Sequence, residues 1–477
     1  MATTTTEEND LKHHQDKKST IVTSEIREKK RNPIITVFIA CSIAIYTIGT
    51  SFAGFFLLMV MQPYFVSLGL SESQATATQN LCAFGSIAFL ISIIVGGSIS
   101  DDIRSRFGNR LPMVLLGGTI AGLSHIIAPF ILSKNTILLA PVLYIIFYIG
   151  AGFAYSPLLA LLSELFTKEE RVWAGMVIGA VAVIGTAIAS VVLTSGSIDY
   201  IQKWLITGVA LVAGAIITFI LTPKTNPDFP PDETIADIIR TPIYLFKLGG
   251  GRNFLIMFFV QALWGASIYV INLNMRPFLI GKVTEQQVVA IMFMVGIGGV
   301  IFAVPVGIII NKLGKTKGAL VGTLILALYT LMLMVFDQFE VLLIVAIMGG
   351  IGTVFIQTVA IALPADIVPE GKEGQFMGIF TFAKNFPEPL MAAVSIGVIT
   401  SGGALESLFF IVVILLIVAG FLLLGLNYEN MLEEEYTRWY KRYLEFRGLV
   451  KFTIGKGIAK IDSSTSLLKN KIMRDSL

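Results

Sequence analysis

Apolar residues run along this chain in long blocks broken by short polar stretches, with neither the alternation of a strand nor the one-sided stripe of a water-soluble helix. A helix needs about 20 apolar residues to cross a hydrocarbon core of about 30 Å. Blocks of that length cover 34–62, 76–100, 112–132, 136–162, 172–195 and 202–222. After a polar gap come 253–280, 286–310, 318–336, 339–363, 375–400 and 404–427. The pattern predicts an all-α membrane protein of about twelve transmembrane helices. A transmembrane barrel would instead alternate over segments of about ten residues.

The longest internal polar stretch, 223–252, holds Pro223, Pro227, Pro230, Pro231 and Pro242 and ends in Gly249, Gly250 and Gly251. Such a segment reads as a linker. The predicted organisation is an N-terminal tail (1–33), a six-helix bundle (34–222), the linker, a second six-helix bundle (253–427) and a C-terminal tail (428–477). In that tail Leu432, Tyr436, Trp439, Tyr440 and Tyr443 recur at helical spacing opposite Glu433, Glu434, Arg438, Lys441, Arg442 and Glu445. This predicts an amphipathic helix lying on the membrane surface, or one docking on a partner.

Composition agrees with lipid as the solvent. Hydrophobic residues make up 55% of the 477 and charged residues 14%, with a mean hydropathy of +0.79. A soluble chain would carry about 25% charged residues. Of 35 Lys and Arg, only Lys134, Lys203, Arg276, Lys282 and Lys384 fall away from the side shared by both termini. By the positive-inside rule both termini are expected in the cytoplasm, which suits an even number of spans and a plasma-membrane protein. Residues 1–33 are polar, so the first span acts as its own insertion signal. The net charge of +3 reflects the cytoplasmic loops and tail and gives no reason to expect nucleic acid. Cys41 and Cys82 lie within spans and read as small buried hydrophobes.

The two halves repeat each other at an offset of about 200 residues. After the second span stands Gly97-Ser-Ile-Ser-Asp101-Asp102, then Arg104, Arg106, Gly108 and Arg110. After the eighth stands Gly307-Ile-Ile-Ile-Asn311-Lys312, then Gly314, Lys315 and Lys317. After the fourth span comes Ser163-Glu164, and after the tenth Ala365-Asp366. The first of these loops resembles the motif of the major facilitator superfamily. Its longer form, Asp101 through Pro112, is similar to the glycoside–pentoside–hexuronide and sucrose symporter branch, with weaker matches at Gln62-Pro63-Tyr64, Gly69-Leu70-Ser71 and Pro157–Glu164. The chain departs from that branch at Leu158 and Leu159, where an arginine is expected, and at Glu164, where an aspartate is. Spans two and four also lack the interior aspartates of melibiose-type symporters, so their coupling schemes do not carry over.

The resemblance implies two pseudo-symmetric bundles and a conformational gate of Asp101, Asp102, Arg104, Arg106, Arg110, Glu164 and Asp366. As bare residues these could equally be solvated charges that set orientation. It further implies that spans one, four, seven and ten line a cavity. Candidate substrate-binding residues are Asn80, Tyr148, Gln261, Trp264, Asn272, Gln357 and Asn385, each also readable as a helix–helix hydrogen-bonding group. Tyr155, Tyr269 and Gln79 are similar candidates.

Lys384 and Glu388 are the only oppositely charged residues at mid-depth of a span, four apart, with Pro387 and Pro389 beside them. Unpaired charges at that depth are costly, so the pair is the candidate ion-coupling site, or else a fixed brace for the kink. His125, in the third span, reads as a packed, hydrogen-bonded histidine, with a proton relay as the alternative.

The expectation is a secondary active transporter, not an enzyme, working as a monomer in the lipid bilayer without a cofactor. It would move a small polar solute, a sugar or glycoside by the branch resemblance, coupled to a proton or Na⁺ gradient. A lipid or drug transporter, and a non-transporting sensor on the same scaffold, are the alternatives. No Gly-x-x-x-x-Gly-Lys-[Ser/Thr] sequence is present to bind ATP phosphates.

Overall fold

The computed structural model describes residues 32–103, 105–225, 251–367, 373–400 and 404–426. The N-terminal tail up to residue 31, Arg104, most of the linker and the amphipathic segment expected over 428–477 lie outside the described residues.

The first span is α1 (Pro33–Phe55), a π-helical turn (Phe56–Val60) and α2 (Met61–Ser67). The second is α3 (Glu72–Phe84) and α4 (Ser86–Asp102), which meet at Gly85. Then come α5 (Leu111–Ile131), α6 (Leu139–Leu165), α7 (Lys168–Thr194) and α8 (Tyr200–Leu221). The second half has α9 (Gly251–Ile280), α10 (Glu285–Leu313), α11 (Lys315–Val335), α12 (Phe339–Ile367), α13 (Glu373–Asn385), α14 (Pro387–Thr400) and α15 (Leu405–Leu424).

Among the described residues eleven stretches are long and apolar enough to cross a membrane. The twelfth expected span, 375–400, is divided between α13 and α14, with a turn at Phe386. Pro387 has no N–H to give the carbonyl four residues back, and its ring crowds that carbonyl, so the helix breaks there. A Cβ on Gly265 of α9 would lie 1.6 Å from the Lys384 carbonyl oxygen, so only glycine lets the two backbones cross at the break.

Side chains cap several helix starts. Ser71 pairs reciprocally with Gln74 at the head of α3, and Thr284 with Gln287 at the head of α10, the matching helix of the second half. Thr167 with Glu170 and Asp199 with Gln202 do the same for α7 and α8.

In the first half α5 packs on α6 and α8, α1 on α7 and α8, and α4 on α6. In the second, α12 packs on α10 and α11, and α15 on α9 and α11. The halves meet where α4 and α6 pack on α13, and where α7 packs on α10 and α12. One end of the molecule carries the loops after α4 and α10, rich in Arg and Lys, and is called the basic face below.

His125 sits inside the first bundle in a box of rings. Phe56, Tyr144, Phe147 and Trp204 have centroids 6.1, 5.4, 4.7 and 5.3 Å from its own. Its Nδ1 lies 3.4 Å from the Ala121 carbonyl and its Nε2 3.5 Å from the Tyr144 hydroxyl. It is a packed core residue beside the π-helical turn.

Candidate functional site

Two groups of polar side chains stand between the halves. The first lies at mid-depth, around the break between α13 and α14. Lys384 lies in the last turn of α13 and donates from Nζ to Oε1 of Gln357 on α12, at 2.7 Å. Asn385 turns back to give Nδ2 to the Thr381 carbonyl at 2.7 Å. Glu388 begins the next helix, and no side chain among the described residues pairs directly with its carboxylate. It lies within electrostatic reach of Lys384, of Tyr148 and Tyr155 on α6, and of Tyr269 on α9. All seven of these side chains are half-buried. Tyr148 and Tyr155 come from the first half and the others from the second, so partly exposed polar groups of both halves come within electrostatic reach of one another at mid-depth. Two carboxylate oxygens, an ammonium and three phenols there can donate and accept hydrogen bonds beside aromatic faces.

The second group closes the basic face. Asp101, at the end of α4, accepts the backbone N–H of Gly374 and of Gln375 from the first turn of α13, both at 2.9 Å. A carboxylate on a helix N-terminus meets unpaired donors and the positive end of the dipole. The backbones touch beside it, for a Cβ on Gly97 would fall 2.2 Å from the Gly374 carbonyl oxygen. Ser156 of α6 donates to that same oxygen at 2.7 Å.

Arg110, fully buried, ties this contact together. It pairs with Asp101, with Glu164 at 2.6 Å and with Glu373 at 3.3 Å, and donates to Ser100 Oγ at 2.7 Å. Burial acts to lower the Arg110 pKa, but the carboxylates of Asp101, Glu164 and Glu373 outweigh it and hold the guanidinium charged.

A second charge cluster mirrors the first with the signs changed. Asp366, at the end of α12, pairs with Arg171 of α7 at 3.0 Å and with Lys315 of α11. Arg171 also donates to the Ala365, Ser163 and Phe166 carbonyls at 2.7, 2.8 and 3.2 Å. One guanidinium thereby satisfies carbonyls at the C-terminal ends of α6 and α12, one from each half, where the dipole favours a cation.

Of the residues singled out in the sequence, Asp101, Arg110 and Glu164 come together, and Asp366 belongs to the other cluster. Arg106 is exposed and lies 4.7 Å over the Phe107 ring, away from both, while Asp102 is half-buried at the end of α4. Tyr148, Gln357, Lys384, Asn385 and Glu388 gather at mid-depth. Gln261 and Trp264 instead face into the second bundle, fully buried, donating to the Ala360 carbonyl at 2.7 Å and to Thr323 Oγ1 at 3.0 Å. Asn272 is exposed further along α9, and the Asn80 side chain lies outside what is described. Sequence reasoning did not assign roles to Glu373, Arg171 and Lys315. The signal available was a charge in the first turn of a span, three times over.

The family model of the Major Facilitator Superfamily matches residues 3–172, 43–279 and 257–438, which together span most of the chain. The chain belongs to the Major Facilitator Superfamily. Members of this superfamily are transporters, and the chain is a multi-pass membrane protein of that transporter family. No curated protein matches it significantly. Among solved structures, the chain is similar in fold to the human organic anion transporter MFSD10 (TETRAN), with a TM-score of 0.64 at 17% identity over 82% of this chain and 100% of that one. It is also similar to the superfamily's proton:xylose symporter XylE bound to 6-bromo-6-deoxy-D-glucose, with a TM-score of 0.59 at 15% identity over 82% of this chain and 95% of that one. At these identities the likeness speaks for the fold.

Proposed function

We propose that the chain is a secondary active transporter that carries a small polar solute, a sugar or glycoside, through the space around Glu388 and drives it with a proton gradient. The observation that carries the reading is the pairing of a mid-depth carboxylate, free of a direct partner among the described residues, with three tyrosines and a lysine facing the same space. Hydroxyl-rich solutes bind where such groups converge beside aromatic rings. The loop motif from Asp101 to Pro112 supports the sugar branch, and Tyr148, Gln357 and Asn385 are the proposed solute contacts. With the basic face in the cytoplasm of a plasma-membrane monomer, the clusters at Arg110 and Asp366 would act as the inner gate, with its contacts between the halves made in this state.

Glu388 would carry the coupling proton and Lys384 would compete for the carboxylate as transport proceeds. The test uses Lys384→Met, Glu388→Gln and the double variant in proteoliposomes, assayed for folding and for uptake of pentoses, hexoses, hexuronates and disaccharides under a pH gradient. Accumulation is expected in the wild type and in neither Glu388→Gln protein. A double variant that folds and still accumulates solute would make the pair structural, and accumulation that follows Na⁺ instead would replace the proton.

A further inference from the structure

We propose that Gln357 is a positioning residue for ion coupling, holding the Lys384 ammonium on α12 so that it stays off Glu388 until the two halves move. The inference rests on Glu388 as the coupling carboxylate, and it adds what keeps that carboxylate available.

On an unbroken helix Lys384 and Glu388, four residues apart, would meet. Here the turn at Phe386 and the start of a new helix at Pro387 separate them, and the ammonium goes to Gln357 Oε1 instead. Gln357 is neutral, so it accepts the lysine hydrogen bond without becoming a second anion in the site. The charged and titratable groups around Glu388 are then Lys384 from α13, Tyr148 and Tyr155 from α6, and Tyr269 from α9. The helix packed on its other side, α15, has only Glu406, in its first turn.

The place of Gln357 links this arrangement to the gate. It stands on the seam between halves, where α7 packs on α12. A Cβ on Gly179 would lie 3.7 Å from the Gln357 Cβ, and one on Gly175, a turn nearer the basic face, 2.9 Å from the Thr358 carbonyl oxygen. Lower on the same pair of helices, Arg171 holds Asp366. A sliding of α7 along α12 that breaks the Arg171 contact therefore also changes the packing of α7 against Gln357, the residue that holds Lys384. Released, the ammonium reaches Glu388 and favours its charged form, which expels the proton into the compartment then open.

The experiment follows the conformational equilibrium of the full chain in nanodiscs as a function of pH, with protons as the only added ligand. Spin labels at Lys134→Cys and Glu340→Cys, exposed positions on the two halves away from the basic face, report the distance between them. Wild type should shift between two distances with a defined midpoint, and Glu388→Gln should abolish the shift. Gln357→Ala should move the midpoint to lower pH by about one unit or more, since a neighbouring cation favours the carboxylate. Lys384→Met should move it up, and Gln357→Ala added to Lys384→Met should change nothing further. Gln357→Glu, which keeps an acceptor for Lys384, should leave the midpoint at or above the wild-type value. An unmoved midpoint in Gln357→Ala, a further effect in the double variant, or a lowered midpoint in Gln357→Glu overturns the role of Gln357 while leaving coupling at Glu388 intact. A wild-type protein without pH response, or one unchanged by Glu388→Gln, overturns both.

Discussion

Replacing Asp101 by Asn tests the inner gate with a change that is small in volume and specific to one state. The carboxylate accepts two N–H groups from the start of α13 and faces Arg110. Asparagine can accept one of them through Oδ1, but it turns an NH₂ toward the other, where donor meets donor. A hydrogen bond to a charged group contributes about 1.5–3 kcal/mol and a neutral one about 0.5–1.5. Losing one and weakening the other costs the closed state about 2–4 kcal/mol. At 1.4 kcal/mol per factor of ten, the closed-to-open ratio falls by about 30- to 1,000-fold. Arg110 keeps Glu164 at 2.6 Å within its own half, so the fold should survive. Spin labels at Lys224→Cys and Lys312→Cys, exposed near the basic face on opposite halves, measure the ratio directly. The variant should gain a long-distance population that the wild type lacks. A distribution identical to wild type in a well-folded protein would reduce Asp101 to a marker of orientation.

Other substitutions separate packing from charge. Gly97→Ala places a Cβ 2.2 Å from the Gly374 carbonyl oxygen, and should bias the same label pair toward the open distance by about 1–3 kcal/mol without altering any charge; an unshifted distribution would contradict the close approach. Gly265→Ala drives a Cβ into the Lys384 carbonyl and should lower thermal stability in detergent and abolish uptake, whereas a stable, active variant would refute the backbone crossing at the break. His125→Phe keeps a ring in the aromatic box while leaving the Tyr144 hydroxyl without its contact, so stability should fall by about 1–3 kcal/mol with the pH profile of uptake unchanged. A lost pH dependence would give His125 a role in proton movement.

The sequence showed the spans because lipid demands runs of fixed length, and it showed the break at Pro387 because a missing donor leaves a local mark. Faces were harder to read. Lipid tails are as apolar as a bundle interior, so a buried side of a span looks much like its exposed side, and Gln261 and Trp264 could not be told from cavity residues. Partners were hidden by distance along the chain. Glu373 meets Arg110 across 263 residues, and Asp366 meets Arg171 across 195. The spacing of Lys384 and Glu388 pointed to each other, and only the geometry of the break sends the lysine to Gln357 on another helix.

The central claim is that Glu388 ties solute movement to an ion gradient, and uptake compared with exchange tests it most directly. Purified wild type and Glu388→Gln are reconstituted in parallel, and labelled sugar is followed as counterflow without a gradient and as accumulation with one. The account predicts counterflow of the same sugar by both proteins and accumulation by the wild type alone. Equal accumulation by Glu388→Gln, or the absence of counterflow for every sugar in the panel, would contradict it.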